Sequence, residues 1–287
     1  MKWENKAYAI SEVGASHLGK DSPCQDFSLV HKARKWTLAV VSDGHGGKDY
    51  VRSDRGSRFA CESVLQVVQE NPPTRRGFKK AYGEQIVKLT LDSWLTRIVA
   101  DLKEAPLTED ELAKVKPQTR EEYERGEYLE RAYGCTLEFV LVTTEGLLVA
   151  QLGDSECYVK SAKGEYSKPL PEDEECQFNM TNSMCGFNAF EKFRYDIIKE
   201  IPQAIFLMSD GIVNSFENDS YLTSFLEVVC EAYGDEEESA GEDLRAFLRR
   251  LTKEGSGDDV SLASVFCEQK TIFEYLPFLK KWAKGEK

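Results

Sequence analysis

The stretch that decides the fold is Trp36-Thr-Leu-Ala-Val-Val-Ser42, followed directly by Asp43-Gly44-His45-Gly46-Gly47. A short apolar run bounded by turn residues predicts a buried β-strand. Oxygen ligands at strand ends, next to glycines that leave space, suit hard divalent cations. An apolar run with a carboxylate at one end recurs at Leu147–Leu152 before Gly153-Asp154, at Ile205–Ser209 before Asp210-Gly211, and at Ser261–Phe266 after Asp258-Asp259.

Composition limits the classes of partner. The 287 residues, 41% hydrophobic and 30% charged, are enough for one large domain or two small ones. A formal net charge of −13 repels a phosphate backbone, so no nucleic-acid partner is expected. The N-terminus lacks the apolar core of a signal peptide, and no run reaches the roughly 18 apolar residues of a membrane span. We therefore expect a cytoplasmic protein without a membrane partner.

The cysteines and histidines argue against a zinc site. Eight cysteines are present without a C-x-x-C spacing, and several lie in apolar stretches. Only three histidines are present, and none is spaced as a partner ligand. We therefore expect reduced, mostly buried thiols.

The order of predicted elements indicates the fold class. Strands and helices each come in runs, without regular strand–helix alternation, and this favours antiparallel sheets with helices packed outside them, an α+β fold. Segment 105–130 is polar and is expected to be a solvated loop with a short helix, and 161–200 is irregular. The predicted strands are 6–13, 26–31, 36–42, 134–143, 146–152, 155–160, 204–209 and 260–267, and the predicted helices are 48–70, 77–104, 219–233, 241–254 and 271–284.

The acidic strand ends indicate a specific chemistry if they meet in the fold. Like charges a few ångströms apart cannot all stay ionised without a counter-ion, and a pair of Mg²⁺ or Mn²⁺ ions supplies one. A water shared by two such metals is a usable nucleophile toward phosphorus. His45 is the natural acid for the leaving group, and the Gly44 carbonyl is free to bind a metal or a water. The acidic ends in question are Asp26, Asp43, Asp210 and Asp258.

Each motif by itself has an ordinary structural interpretation. Asp210-Gly211 alone, like Gly153-Asp154-Ser155 alone, is more often a turn than a ligand site. His45 alone is more often a hydrogen-bonded structural residue. The case depends on the combination, in which each aspartate stands at a strand end.

In their order these motifs resemble the metal-dependent Ser/Thr protein phosphatases of type 2C, in the bacterial-type branch. The resemblance runs from about residue 8 to 267. It implies a single domain over 1–287 with a four-layer αββα sandwich, a variable flap-like segment at about 161–200 and a C-terminal helix at about 271–284. The matching pieces are Gly19-Lys-Asp-Ser-Pro-Cys-Gln-Asp26-Phe, Val41-Ser-Asp-Gly-His-Gly-Gly47, Tyr133-Gly-Cys-Thr136, Leu152-Gly-Asp-Ser155, Met208-Ser-Asp-Gly-Ile212 and Gly255-Ser-Gly-Asp-Asp-Val-Ser261.

The resemblance also implies a set of metal ligands. Asp43 would bridge two Mg²⁺ or Mn²⁺ ions, and the Gly44 carbonyl would bind one of them. Asp210 and Asp258 would complete the second metal site. Asp26 would bind a metal directly or through a water.

The same resemblance implies the reaction. It is the hydrolysis of phosphoserine or phosphothreonine in a protein substrate, in signalling and opposite a cognate Ser/Thr kinase, without a phosphoenzyme. His45 would protonate the leaving group. Asp154, with Asp210, would offer a third and looser metal site.

The chain departs from the family pattern at three places. Gln25 stands where many members have Glu, and Asp259 stands where Asn is usual, so that Asp259 is a further candidate ligand. The phosphate-binding Arg of the family has no clear counterpart, and Lys20 and His17 are the candidates to replace it.

Two other functions are compatible with the sequence. One is a catalytically weak or inactive phosphatase-like module that binds a partner; Gln25 and the missing arginine favour it. The three retained acids Asp43, Asp210 and Asp258 argue against it, because an inactive copy has no physical need for mutually repelling carboxylates. The other is a metal hydrolase of small phosphoesters.

Overall fold

Two antiparallel sheets form the centre of the molecule in the computed structural model, which describes residues 5–18, 23–171, 181–234 and 240–267. The strands are β1 (Lys6–Glu12), β2 (Phe27–Lys32), β3 (Trp36–Ser42), β4 (Leu137–Thr143), β5 (Gly146–Leu152), β6 (Glu156–Lys160), β7 (Tyr166–Ser167), β8 (Arg194–Ile198), β9 (Ala204–Met208) and β10 (Val260–Phe266). The first sheet has the order β1-β10-β9-β6-β7, and the second has the order β2-β3-β4-β5-β8. All their pairings are antiparallel.

Helices cover the outer face of each sheet. The helices are α1 (Ser53–Glu70), α2 (Lys80–Glu104), α3 (Glu109–Leu112), α4 (Pro117–Glu124), a 3₁₀ helix (Leu129–Tyr133), α5 (Ala189–Lys192), α6 (Asp210–Val213), α7 (Asp219–Gly234) and α8 (Ala240–Glu254). Helices α1 and α2 share a hydrophobic core with the second sheet, and α7 and α8 share one with the first. The predicted αββα sandwich is confirmed.

Strand β3 shows why the central strands are apolar without interruption. Ala39 and Val41 belong to the core between the two sheets, whereas Leu38 and Val40 belong to the core under α1 and α2. Successive side chains of a strand point to opposite faces. Because both faces of the sheet are covered, both sets of positions are apolar, and the usual alternation with polar residues is lost.

The first two predicted helices begin later than expected. α1 begins at Ser53 and not at residue 48, because the preceding backbone is bonded to distant segments. The Arg52 amide donates to the Ala132 carbonyl at 2.8 Å, and an Asp49 carboxylate oxygen accepts from the Lys116 amide at 3.0 Å. α2 begins at Lys80 and not at residue 77, because a turn at 74–78 precedes it.

Segment 105–130 is largely exposed, as its polarity predicted, but it holds more regular structure than one short helix. It contains α3, α4 and the start of the 3₁₀ helix, and Leu112 and Tyr123 are buried. The guanidinium of Arg52, which is 3% exposed, donates to both carboxylate oxygens of Glu111 at 2.7 and 2.9 Å. The buried arginine that precedes α1 thus fixes a segment whose polarity alone predicts only solvated surface.

Two expectations concern segments at or beyond the limits of the description. The segment 161–200 contains β7, α5 and β8, which the irregular pattern did not predict, and its residues 172–180 lie outside the described ranges. The predicted helix 271–284 also lies outside them. Among the described helices, none combines the length and the apolar character needed to span a bilayer.

Candidate active site

Two aspartates leave the second sheet at the same edge. Phe27 at the start of β2 pairs with Ser42 at the end of β3. Asp26 immediately precedes the first of these residues, and Asp43 immediately follows the second. The antiparallel register therefore brings both carboxylates to one end of the sandwich.

Two more aspartates lie at the same end of the sandwich, next to strands of the first sheet. Met208 at the end of β9 pairs with Leu262 near the start of β10, so Asp210, which begins α6, lies close to Asp258 in the loop before β10. The charge of each of these two aspartates raises the pKa of Asp26 across the sandwich. The structure thus brings together the four acidic strand ends that the sequence singled out.

Burial and mutual repulsion shift the protonation of this cluster. Burial raises the pKa of Asp26 well above its usual range, although a hydrogen bond with Ser209 opposes the shift. Burial also raises the pKa of Asp43, with further contributions from Asp26 and Asp210. The pKa of Asp210 is raised by burial and by the charges of Asp154 and Asp258, and the neighbouring Asp43 opposes this shift. Burial and repulsion thus disfavour the charged form of all three carboxylates, and a bound cation would offset that cost.

The donor atoms fit a hard divalent cation. The cluster offers carboxylate oxygens, which Mg²⁺ and Mn²⁺ prefer, and the Oδ2 atom of buried Asp26 has no hydrogen-bond partner among the described residues. Within the described ranges, no three His, Cys, Asp or Glu side chains already surround a common point in metal-binding geometry. Magnesium-type sites use few protein ligands and keep several waters, so the carboxylates of this cluster fit such an ion once they are ionised.

The loop that carries Asp43 is held firmly from both sides. The Asp43 amide donates to Thr136 Oγ1 at 3.0 Å, and the Thr136 amide donates to the Asp43 carbonyl at 2.8 Å. A Cβ atom on Gly44 would lie 2.4 Å from the Gln25 carbonyl oxygen and 2.8 Å from that of Ser53. Only glycine fits there, because the neighbouring atoms belong to the backbone.

The side chain of Asp259 joins the loop before β10 to the loop between β1 and β2. Its carboxylate accepts from the backbone amides of Gly14 and Gln25, both at 2.6 Å, and lies 3.0 Å from His17 Nδ1. The oxygens of Asp259 are thus occupied by backbone donors. His17 lies beside the acidic cluster through this contact, and Lys20 lies outside the described residues.

His45 is fixed by a partner from a distant part of the chain. Its Nε2 atom lies 2.8 Å from Ser183 Oγ, and its amide donates to the Gly134 carbonyl at 3.1 Å. The edge of the Tyr50 ring packs against the imidazole, with ring centroids 4.8 Å apart. Burial lowers the pKa of His45, and the charge of Asp154 opposes this. The resting imidazole is therefore neutral near pH 7.

The segment after the undescribed residues 172–180 supplies two contacts that the sequence reasoning missed. Thr181 Oγ1 donates a hydrogen bond to Asp154, and Ser183 contacts His45. The available signal was the polar run Thr181-Asn-Ser183 in a long segment without periodicity. It marked the segment as functional without indicating which residues it contacts.

Comparison with known proteins gives one family and one fold. The sequence model of the protein phosphatase 2C family matches residues 13–249. No curated protein matches the sequence. At identities this low, the likeness to the solved structures below shows the fold alone.

Three similar solved structures are the Ser/Thr phosphatase Stp1 from Staphylococcus aureus, PppA from Pseudomonas aeruginosa, and the catalytic domain of the Ser/Thr protein phosphatase PstP in complex with two manganese ions. Stp1 is 14% identical, with 94% of this chain and 96% of that one covered at a TM-score of 0.58. PppA is 19% identical, with coverage of 92% and 98% at 0.57. PstP is 17% identical, with coverage of 92% and 99% at 0.57.

Proposed function

The chain belongs to the protein phosphatase 2C family, and from this premise we propose that it hydrolyses phosphoserine and phosphothreonine in proteins with the help of divalent metal ions. One observation carries the proposal: Asp26, Asp43 and Asp210 lie next to the ends of three different strands in two sheets, and their carboxyl groups interact in one buried cluster. A fold gains no stability from such repulsion. A bound cation would offset the repulsion, and the reaction that the cation supports would explain why the cluster is present.

We propose that two Mg²⁺ or Mn²⁺ ions bind here through Asp43, the Gly44 carbonyl, Asp210 and Asp258, that Asp26 binds directly or through a water, and that a third ion uses Asp154 with Asp210. When bound, such ions neutralise phosphoryl oxygens and make a coordinated water acidic enough to act as a nucleophile. The protein holds the carboxylates at the ends of rigid strands, where the paired backbones limit their movement. The manganese in the PstP complex supports the choice of metal.

We propose that both ends of the described chain belong to one domain. β1 near the N-terminus pairs with β10, the last described strand, along seven residue pairs. A domain boundary inside the chain would have to divide this sheet. The proposed substrate is a phosphoprotein made by a Ser/Thr kinase, because hydrolysis of phosphoserine and phosphothreonine removes the groups that such a kinase adds.

The direct test is the release of phosphate from phosphoserine and phosphothreonine peptides by the purified chain. We expect turnover with Mn²⁺ or Mg²⁺ and none with a chelator. Binding of Mn²⁺ by the folded protein without turnover of any phosphopeptide would favour the binding module instead. Faster hydrolysis of small phosphoesters than of phosphopeptides would favour the small-molecule hydrolase.

His45 is proposed to supply the proton that the leaving alkoxide needs. The resting imidazole is neutral, and a dianionic phosphate bound beside it favours uptake of a second proton. We expect His45→Ala to slow phosphopeptide hydrolysis about a hundredfold, while 4-nitrophenyl phosphate slows much less, because nitrophenolate leaves without a proton. The measurement is kcat for both substrates in both proteins.

A matched control is His31→Ala, since His31 lies in β2 beside Trp36 and away from the acidic cluster. It should leave both rates unchanged. Equal slowing of both substrates by His45→Ala would remove His45 from the role of the acid.

A further inference from the structure

The segment Thr181–Cys185 lies along the strand ends that carry the acidic residues. The Met184 amide donates to the Cys135 carbonyl at 2.8 Å, and the Met184 side chain is 3% exposed. A Cβ atom on Gly153 would lie 3.1 Å from the Asn182 carbonyl oxygen. The segment is therefore anchored against the backbone at Cys135 and against the backbone at Gly153, which directly precedes Asp154.

The hydroxyl of Ser183 has four polar contacts with described residues. Its Oγ atom lies 2.8 Å from His45 Nε2, 3.2 Å from the Cys135 carbonyl oxygen and 3.2 Å from Cys185 Sγ, and it accepts from the Cys185 amide at 3.4 Å. A hydroxyl has one proton to donate. The Cys135 carbonyl can only accept, so we assign that proton to it. The Ser183 oxygen then accepts from an N–H at His45 Nε2.

From these contacts we infer that Ser183 is a positioning residue for His45: it holds Nε2–H and leaves Nδ1 as the nitrogen that takes up and delivers the proton. This inference rests on the proposed function of the site. In the step, a water gives up a proton and forms a new bond to phosphorus while the ester P–O bond breaks. The leaving oxygen keeps the electrons of the broken bond and takes the proton from Nδ1 of the doubly protonated ring. The ring returns to its neutral form with Nε2–H still bound to Ser183.

The surroundings of the ring support a fixed orientation. The Tyr50 ring packs against the imidazole with its edge, and a Cβ atom at Gly134 would lie 2.9 Å from His45 Cδ2. No hydrogen bond joins His45 Nδ1 to any residue in the described ranges. Without the Ser183 hydroxyl, packing alone would hold the ring, and a small rotation moves its nitrogens by the distance that matters for proton transfer.

The first test uses NMR of the folded protein without substrate. Only three histidines are present, so His17→Gln and His31→Gln variants assign their signals. We expect long-range ¹H–¹⁵N spectra above pH 7 to show the His45 proton on Nε2, visible as a resonance protected from exchange with water. Ser183→Ala should abolish that protection, and Ser183→Thr, which keeps a hydroxyl, should restore it. A proton on Nδ1, or an unchanged resonance in Ser183→Ala, would overturn the assignment.

The second test is kinetic. We expect Ser183→Ala to slow phosphopeptide hydrolysis roughly tenfold in kcat with little change in KM, and to leave 4-nitrophenyl phosphate nearly unaffected. Adding Ser183→Ala to His45→Ala should cost nothing further. Ser167→Ala, at an exposed serine of β7, controls for the loss of a hydroxyl.

The two tests separate the inference from the function on which it rests. If the wild-type chain releases no phosphate, the proposed function fails, while the NMR result still decides the contact. Equal slowing of both substrates by Ser183→Ala, or further slowing in the double variant, would refute the positioning role. Thermal unfolding of each variant checks that the fold is intact.

Discussion

Asp43→Asn should reduce metal-dependent phosphatase activity by at least about a hundredfold, and should make the metal-free protein more stable. The first effect follows because a carboxylate of the proposed metal site is lost. The second follows because Asp43 is held among like charges, and burial with Asp26 and Asp210 raises its pKa. An asparagine amide has nearly the same shape and carries no charge, so the substitution removes repulsion among the carboxylates.

The two halves of this prediction have separate measurements. Activity is measured on a phosphopeptide across Mn²⁺ concentrations. Stability is measured by denaturant unfolding in chelator, where we expect a gain on the order of 1 kcal/mol. Added Mn²⁺ should raise the melting temperature of the wild type and should do so less in the variant, because a ligand that binds only the folded state stabilises it.

Asp92→Asn is the matched control, because Asp92 is an exposed residue of α2 and the same charge is removed. It should change neither activity nor the response to Mn²⁺. Near-normal activity of Asp43→Asn would refute the proposed metal site. A loss of stability in chelator would show that Asp43 stabilises the metal-free fold.

Glu138→Leu should stabilise the protein at pH 7 by roughly 1–3 kcal/mol. Glu138 on β4 is 0% exposed, and within the described part of the chain neither of its carboxyl oxygens has a hydrogen-bond partner. It stands on the same strand face as Val140, in the core between the sheets. Burial, with the charge of Glu156 nearby, raises the pKa of Glu138, and Arg194 lowers it only in part.

The sign of the pH dependence follows from that raised pKa. The protonated carboxyl is compatible with the core, so its contribution is fully present below the unfolded pKa, about 4.3. The contribution is lost as the pH rises toward the folded pKa, because the unfolded chain then releases the proton more readily. The advantage of Glu138→Leu over the wild type should therefore grow from pH 5 to pH 8.

Denaturant unfolding at several pH values measures this difference. Glu138→Gln separates its two causes, because the amide does not ionise but remains a buried polar group. We expect Glu138→Gln to remove the pH-dependent part and to gain less stability than Glu138→Leu. Glu200→Gln, at an exposed glutamate, controls for net charge. A stability difference that does not change with pH would mean that Glu138 is not protonated on folding.

Local pattern predicted most of the strands and the later helices. The continuous apolar run of β3 and the short run of β9 are each contained within a few consecutive residues, and their flanking aspartates and glycines mark the ends. The family resemblance and the αββα architecture are also confirmed. Both could be predicted because each motif of the family consists of residues adjacent in sequence. The roles of the individual site residues stay predictions.

Local pattern failed where distant contacts override it. The predicted start of α1 was wrong because Arg52 bonds to the 3₁₀ helix. The regular structure of segment 105–130 was underestimated because nothing in its own sequence indicates that its Glu111 pairs with the buried Arg52. Strand β8 was missed because its residues are only partly buried and carry no alternation.

The sequence by itself determined which residues are candidates for the chemistry, since an aspartate beside glycine at the end of an apolar run is visible without a fold. Only the tertiary structure decided their partners. Ser183 contacts His45 across 138 residues, and the Gln25 amide donates to Asp259 across 234. Such pairs depend on how two sheets stack, and the packing free energy that sets the stacking is spread over the whole core, so no short stretch of sequence records it.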